Sequence, residues 1–135
     1  AGAVRQAASN NRNIVGVLME VLQGEGGIHV ADLEYVRFLR RLCDENGWLL
    51  MIDEVQSGIG RTGKWFGYQH AGVKPDVVTL AKGLASGVPI GACLAAGKAA
   101  VAAVGLRRHG HGAPQGVGEI DEALGYAAGL GQRIE

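Results

Sequence analysis

The chain has 135 residues, enough for one ordinary domain with a modest core and too few to require two. Thirteen lysines and arginines cancel thirteen aspartates and glutamates, so there is no basic footprint for nucleic acid or an anionic membrane surface, and a small neutral or anionic metabolite fits better. No apolar run approaches the ~20 residues that cross a bilayer, and no basic-then-apolar leader opens the chain, so a soluble, unexported, cytoplasmic protein is expected. Ala1 stands where a start methionine would, which points to a chain that begins inside a longer product.

In chain order, Ile14 to Met19 reads as a short buried strand ending in Glu20, and Gly24-Glu25-Gly26-Gly27 forces a turn. A helix is predicted from an N-cap at Asp32 to Asn46, with Val36, Leu39, Leu42 and Cys43 spaced for one apolar face and Gly47 placed to stop it. Trp48 to Ile52 is apolar without alternation, the pattern of a strand covered on both faces of a parallel sheet, and strand, helix and strand make a βαβ unit. Gly58, Gly60 and Gly63 open a loop, Trp65 to His70 suits a short helix, and Pro75-Asp76 leads into a buried strand at Val77 to Leu80, with Lys82 just past its end. Val88 to Ala95 is a further strand candidate, and Lys98 to Val104 a short alanine-rich helix. Beyond about Leu106 apolar periodicity is lost; Arg107 to Gly116 reads as loop or disorder, and Glu119 to Ala128 as a weak helix interrupted by Gly125. No internal repeat is present. Cys43 and Cys93 fall in apolar stretches without knuckle or disulfide spacing, which predicts buried, reduced thiols.

The fold class expected from this order is α/β. Ligands of open α/β sheets bind beyond the carboxyl ends of the strands, and Glu20, Asp53 and Lys82 each follow an apolar strand closely. An acidic residue at the end of one buried strand and a lysine at the end of the next is how a protein holds pyridoxal phosphate: the lysine forms a Schiff base and the aspartate keeps the pyridine nitrogen protonated. Val55 would then press an aliphatic surface on the ring, and Gln56 would hydrogen-bond its phenolic oxygen. Each residue has a plainer explanation alone. An aspartate after a strand is often a turn former, a lysine among glycines is often a solvated charge, and the Gly24–Gly27 run is a tight turn more readily than a phosphate cradle. His29, His70, His109 and His111 show no metal spacing, so no metal is expected. The combination lifts the functional reading.

From about Asn13 to Lys98 the chain resembles the large domain of the class III, fold type I pyridoxal-phosphate aminotransferases. The carrying residues are Gln23-Gly24-Glu25-Gly26-Gly27, Asp53-Glu54-Val55-Gln56-Ser57-Gly58-Ile59-Gly60-Arg61-Thr62-Gly63, Lys74-Pro75-Asp76, Ala81-Lys82-Gly83 and Pro89-Ile90-Gly91-Ala92. The resemblance implies a partial three-layer sandwich with a mostly parallel sheet over residues 1–105 and a divergent or disordered tail over 106–135. It assigns Lys82 as the Schiff-base lysine, Asp53 as the partner of the pyridine nitrogen, Gln56 as the contact to the ring oxygen, Val55 as the residue behind the ring, and Glu20 and Glu25 as glutamates of the substrate site. It implies a homodimer with the active site at the subunit interface. The acetylornithine branch fits the text Thr62-Gly63-Lys64-Trp65-Phe66 and the Gly83 to Gly91 stretch. The reaction implied there is transfer of the δ-amine of N-acetylornithine to 2-oxoglutarate, in arginine biosynthesis. Transaminases of 4-aminobutyrate or ornithine share the Asp53, Gln56 and Lys82 pattern, and a truncated, non-catalytic remnant is the alternative from another class.

The chain also departs from the family. Val21 stands where the family has proline. His109-Gly110-His111-Gly112-Ala113-Pro114 replaces a segment whose threonine reaches the cofactor phosphate of the neighbouring subunit. The family's phosphate loop, its ring-stacking aromatic and its substrate-carboxylate arginine are absent from this text. The isolated chain is therefore expected to bind the cofactor weakly and to be inactive.

Overall fold

A computed structural model of the chain describes residues 1–101. The tail at 106–135, the helix expected at Glu119 to Ala128 and the end of the one expected at Lys98 to Val104 lie outside the described residues; residues 98–101 are helical.

The helix expected after Asp32 is present as α2 (Leu33–Asn46), and both its ends follow from chemistry visible in the sequence. Asp32 Oδ1 accepts hydrogen bonds from the amides of Glu34 at 2.7 Å and Tyr35 at 3.3 Å, satisfying donors that a first turn leaves orphaned. Gly47 takes the left-handed conformation, φ +69°, which lets the chain reverse without a Cβ clash. The strands β1 (Gly16–Glu20), β4 (Leu49–Asp53), β5 (Val77–Leu80) and β6 (Ala92–Ala95) form one sheet in the order β1-β4-β5-β6. The β1–β4 and β4–β5 pairs are parallel and β5–β6 is antiparallel. Between β1 and α2, β2 (Leu22–Gln23) and β3 (His29–Val30) pair as a small antiparallel hairpin around the glycine turn. No helix among the described residues is long and apolar enough to cross a membrane.

Val36, Leu39, Leu42 and Cys43 of α2 pack on Leu50 and Ile52 of β4, with Trp48 and Ala71 closing the same core. A second cluster, Val78, Leu80, Ala92 and Leu94, continues that sheet face and is covered by Ile59, Phe66, Tyr68 and Leu84. Three features differ from expectation. Residues 1–13 carry an unforeseen helix, α1 (Gly2–Asn10), whose Val4 and Ala8, one turn apart, rest on the first core while Arg5 lies 5.0 Å over the Phe38 ring. Its alanine-rich text is compatible with helix, and docking rather than periodicity selects it. The final strand is half the length read from the sequence, because Val88 to Gly91 remains a connection. β4 is also not equally covered on its two faces: Leu50 and Ile52 are fully buried, whereas Leu49, Met51 and Asp53 are only partly so. Leu18, beside Met51 in the register, is 65% exposed. Among the described residues the helical layer lies on one face, and the other is open.

Candidate active site

Parallel strands bring their carboxyl ends to one edge, and the register places Glu20 of β1, Asp53 of β4 and Thr79 of β5 side by side along it. Cα partners in a sheet project to the same face, so these three side chains share the open face. Asp53 Oδ1 accepts from the Val55 amide at 2.9 Å, a turn that fixes the carboxylate's orientation. Its other oxygen carries no hydrogen bond among the described residues. Thr79 Oγ1, on the neighbouring strand, is buried without a partner among the described residues.

Lys82 follows β5 by two residues and opens a 3-10 turn, Lys82–Ala85, held by the Leu84 amide on the Ala81 carbonyl at 3.1 Å. Its φ is +46°, a left-handed conformation that costs an L-residue roughly 1–2 kcal/mol. Strain of this kind on a non-glycine residue collects at functional sites. The side chain is exposed and free to address a ligand.

The structure joins two residues that sequence reasoning treats separately. Gln56 Nε2 donates to Glu25 Oε1 at 3.0 Å, pinning the glycine turn to the loop after β4. A Cβ at Gly24 would stand 2.9 Å from the Gln56 side-chain carbon, so a larger residue there would push the Gln56 amide from this position. Glu25 thus meets Gln56, while Glu20 lies one strand away beside Asp53. Val55 is half-buried next to the aspartate.

Glu54 escaped sequence reasoning. The motif shows it as one more acid, yet its side chain is 1% exposed. It accepts hydrogen bonds from Ser57 Oγ and from the amides of Gly67 at 3.0 Å and Tyr68 at 2.9 Å. Three donors compensate a desolvated carboxylate that has no cationic partner among the described residues. Burial, with a smaller contribution from Glu54, pushes the Tyr68 phenol up from its ordinary 10.0. No sequence signal marks an acid that turns inward.

His70, which shows no metal spacing in the sequence, bonds through Nε2 with the Thr62 carbonyl at 3.0 Å and its hydroxyl at 3.2 Å. The expectation of two buried thiols is corrected at one position. Cys43 is buried, but Cys93 is exposed, because it lies opposite Thr79 on the open face of the edge strand β6.

The family pattern described as Aminotransferase class-III matches residues 2–113. An acetylornithine aminotransferase of Nitrosomonas europaea is 65% identical over 98 residues, which cover 73% of this chain and 25% of that protein. Acetylornithine aminotransferase 1 of Bordetella parapertussis is 59% identical over 126 residues, 93% of this chain and 31% of the relative. The family match and the second alignment both run past residue 106. Among solved structures, the N-acetylornithine aminotransferase of Stenotrophomonas maltophilia superposes with a TM-score of 0.69 at 40% identity, over 80% of this chain and 32% of that one. The ornithine δ-aminotransferase of Plasmodium falciparum superposes with a TM-score of 0.73 at 36% identity, over 83% and 29%. The chain spans a quarter to a third of the curated relatives it matches here.

Proposed function

The chain belongs to the class-III aminotransferases, and from that membership we propose that it carries the ring-binding centre of a pyridoxal-phosphate-dependent transaminase that moves the δ-amine of N-acetylornithine to 2-oxoglutarate. The observation that carries the reading is the shared rim: Glu20, Asp53 and Thr79 in register, with Lys82 on a strained turn at the end of the adjoining strand. The donor set fits the cofactor's ring. Asp53 keeps one carboxylate oxygen free of hydrogen bonds among the described residues, beside a buried, unpartnered hydroxyl at Thr79, and Lys82 offers an exposed primary amine.

Bound pyridoxal phosphate supplies an electron sink for charge that develops on the carbon bearing the transferred amine. Asp53 holds a proton at the pyridine nitrogen through its free oxygen, since an adjacent carboxylate favours the charged ring. Lys82 Nζ would hold the cofactor through its primary amine, and the same atom would be the group that carries protons to and from the reacting carbon. Val55 excludes water from one face of the ring. Gln56, steadied by Glu25, would be the contact to the ring oxygen, so Glu25 would act on the substrate side partly by orienting Gln56. Glu20, next to Asp53, contributes negative charge that steers an amine donor to the rim. The same reading makes the working unit a cytoplasmic homodimer of the complete gene product and the isolated chain a weak cofactor binder without turnover.

Two measurements test this. Incubation of the chain with pyridoxal phosphate, borohydride reduction and peptide mapping should label Lys82, and Lys82→Ala should abolish the label; label on other lysines alone refutes the assignment. Profiling the complete gene product against N-acetylornithine, ornithine and 4-aminobutyrate decides the donor. Ornithine is the second reading, supported by the Plasmodium neighbour, but its 36% identity stands against 65% and 59% for acetylornithine relatives. Faster turnover of ornithine than of N-acetylornithine would reverse the order.

A further inference from the structure

We propose that Glu54 is a positioning residue whose buried carboxylate holds the Asp53 and Lys82 segments in register with each other. The proposal rests on the transaminase reading for its consequence and on geometry alone for its existence.

Glu54 ties three pieces of chain. Its amide donates to the Thr79 carbonyl at 2.9 Å, extending the β4–β5 ladder one residue beyond Asp53. Its carbonyl accepts from the Gly58 amide at 2.9 Å, closing the turn that carries Val55 and Gln56. Its carboxylate gathers the Ser57 hydroxyl and the amides of Gly67 and Tyr68, which anchors the loop passing over β5. That loop shares a packing surface with the segment after Lys82. Tyr68 stacks on Phe66 with ring centroids 5.4 Å apart, and both pack on the cluster that Leu84, two residues after Lys82, also covers.

The space around Glu54 is built for this side chain. A Cβ at Gly58 would fall 2.8 Å from the Glu54 carbonyl oxygen, and one at Gly67 would fall 3.3 Å from both carboxylate oxygens and 2.6 Å from a Val21 methyl. Oε1 accepts one amide, while Oε2 accepts an amide and a hydroxyl. A glutamine of the same shape must turn an N–H₂ group toward a backbone N–H, so charge and acceptor number matter as well as volume. The contacts of Glu54 lead to the segment that carries Asp53 and to the loop over β5, and through Tyr68, which also packs on the α2 core, that loop is shared with the helix.

The decisive experiment compares the wild-type chain with Glu54→Gln and Ser57→Ala, the latter removing one donor and leaving the two amides. Amide hydrogen exchange without cofactor should show the Val55 and Leu84 protons losing protection about tenfold in Glu54→Gln, with a smaller loss at amides inside α2. A global loss of stability would instead lower protection everywhere alike, and that outcome overturns the proposal. Titration with pyridoxal phosphate should then show a Lys82-dependent absorption band that is weaker in affinity by about tenfold or more in Glu54→Gln and shifted in its pH midpoint, with Ser57→Ala between. A wild-type band matched in affinity and pH midpoint by both variants overturns this inference while leaving the transaminase reading standing. A wild-type chain with no Lys82-dependent band overturns that reading and, with it, the functional half of the proposal. Should Glu54→Gln not fold, Ser57→Ala decides: unchanged exchange at Val55 and Leu84 refutes the link.

Discussion

At Lys82 a φ of +46° sets a lysine where glycine would rest more easily, a strain that the proposed role of its amine would account for. Lys82→Gly should raise stability by about 1 kcal/mol relative to Lys82→Ala while both lose cofactor attachment. Denaturant midpoints measure this, and equal midpoints for the two variants would remove the strain from the account. One buried and one half-buried proton add a pH dependence. Burial raises the Cys43 thiol from its ordinary 9.0, and burial with Glu54 raises the Tyr68 phenol from 10.0. The folded chain keeps these protons where the unfolded chain releases them. Their contribution is therefore intact below the unfolded values and is lost as pH rises through them toward the folded ones. Denaturation midpoints followed from about pH 7 to about pH 11 should fall at the alkaline end, less steeply in Tyr68→Phe; an unchanged slope in that variant would relieve Tyr68 of the role. Of the site residues, Asp53 and Lys82 are legible in sequence because an apolar run immediately precedes each. Glu54 is not, since the hydrogen bonds that permit its burial come from residues 67 and 68, on a loop whose path the motif does not encode.

Among the elements, α2 was readable to the residue because its cap, apolar stripe and terminal glycine are all local signals. Asp32→Ala should cost about 1 kcal/mol by removing the acceptor for two amides, measured as a fall in thermal midpoint. What joins α2 to the sheet was less visible. Asp76 Oδ2 accepts both from Arg40 at 2.8 Å and from the Leu50 amide at 2.8 Å, so one carboxylate links helix, β4 and the start of β5. Burial disfavours the charged Arg40 guanidinium, but Asp76 and Asp44 outweigh it and raise its pKa above the ordinary value. Asp76→Ala strands a guanidinium with only 14% of its side chain exposed and an unpaired strand amide, and should cost about 3 kcal/mol in denaturant. A loss under about 1 kcal/mol would mean that the Arg40–Asp44 pair alone suffices. The spacing of Arg40 and Asp76 carries no sequence signal, because the pair forms only once the βαβ crossover is closed.

For the whole molecule, the sheet's two faces have different fates. The apolar run Leu49-Leu50-Met51-Ile52 reads as a strand wanting cover on both sides, and the described residues supply it on one. Its text carries the hydrophobicity of a doubly covered strand, so the parallel βαβ order was legible while the one-sided helical layer was not. The uncovered side presents Leu18, 65% exposed, on β1, an edge strand among the described residues. Across the sheet, Cys93 lies on the same side of the other edge. Exposed apolar surface next to a strand edge that has no partner among the described residues favours association, through area removed from water and through backbone groups open to pairing. The chain should therefore self-associate, with light scattering reporting a mass that rises with concentration. Leu18→Lys places a charge on the open face without touching the α2 core, and should lower that mass while leaving the unfolding free energy within about 0.5 kcal/mol of wild type. Added salt separates the two drives, since it screens the new lysine but strengthens apolar burial: wild-type association should persist in high salt, and that of the variant should partly return. A wild-type chain that stays monomeric across the concentration range would show that this face needs no cover.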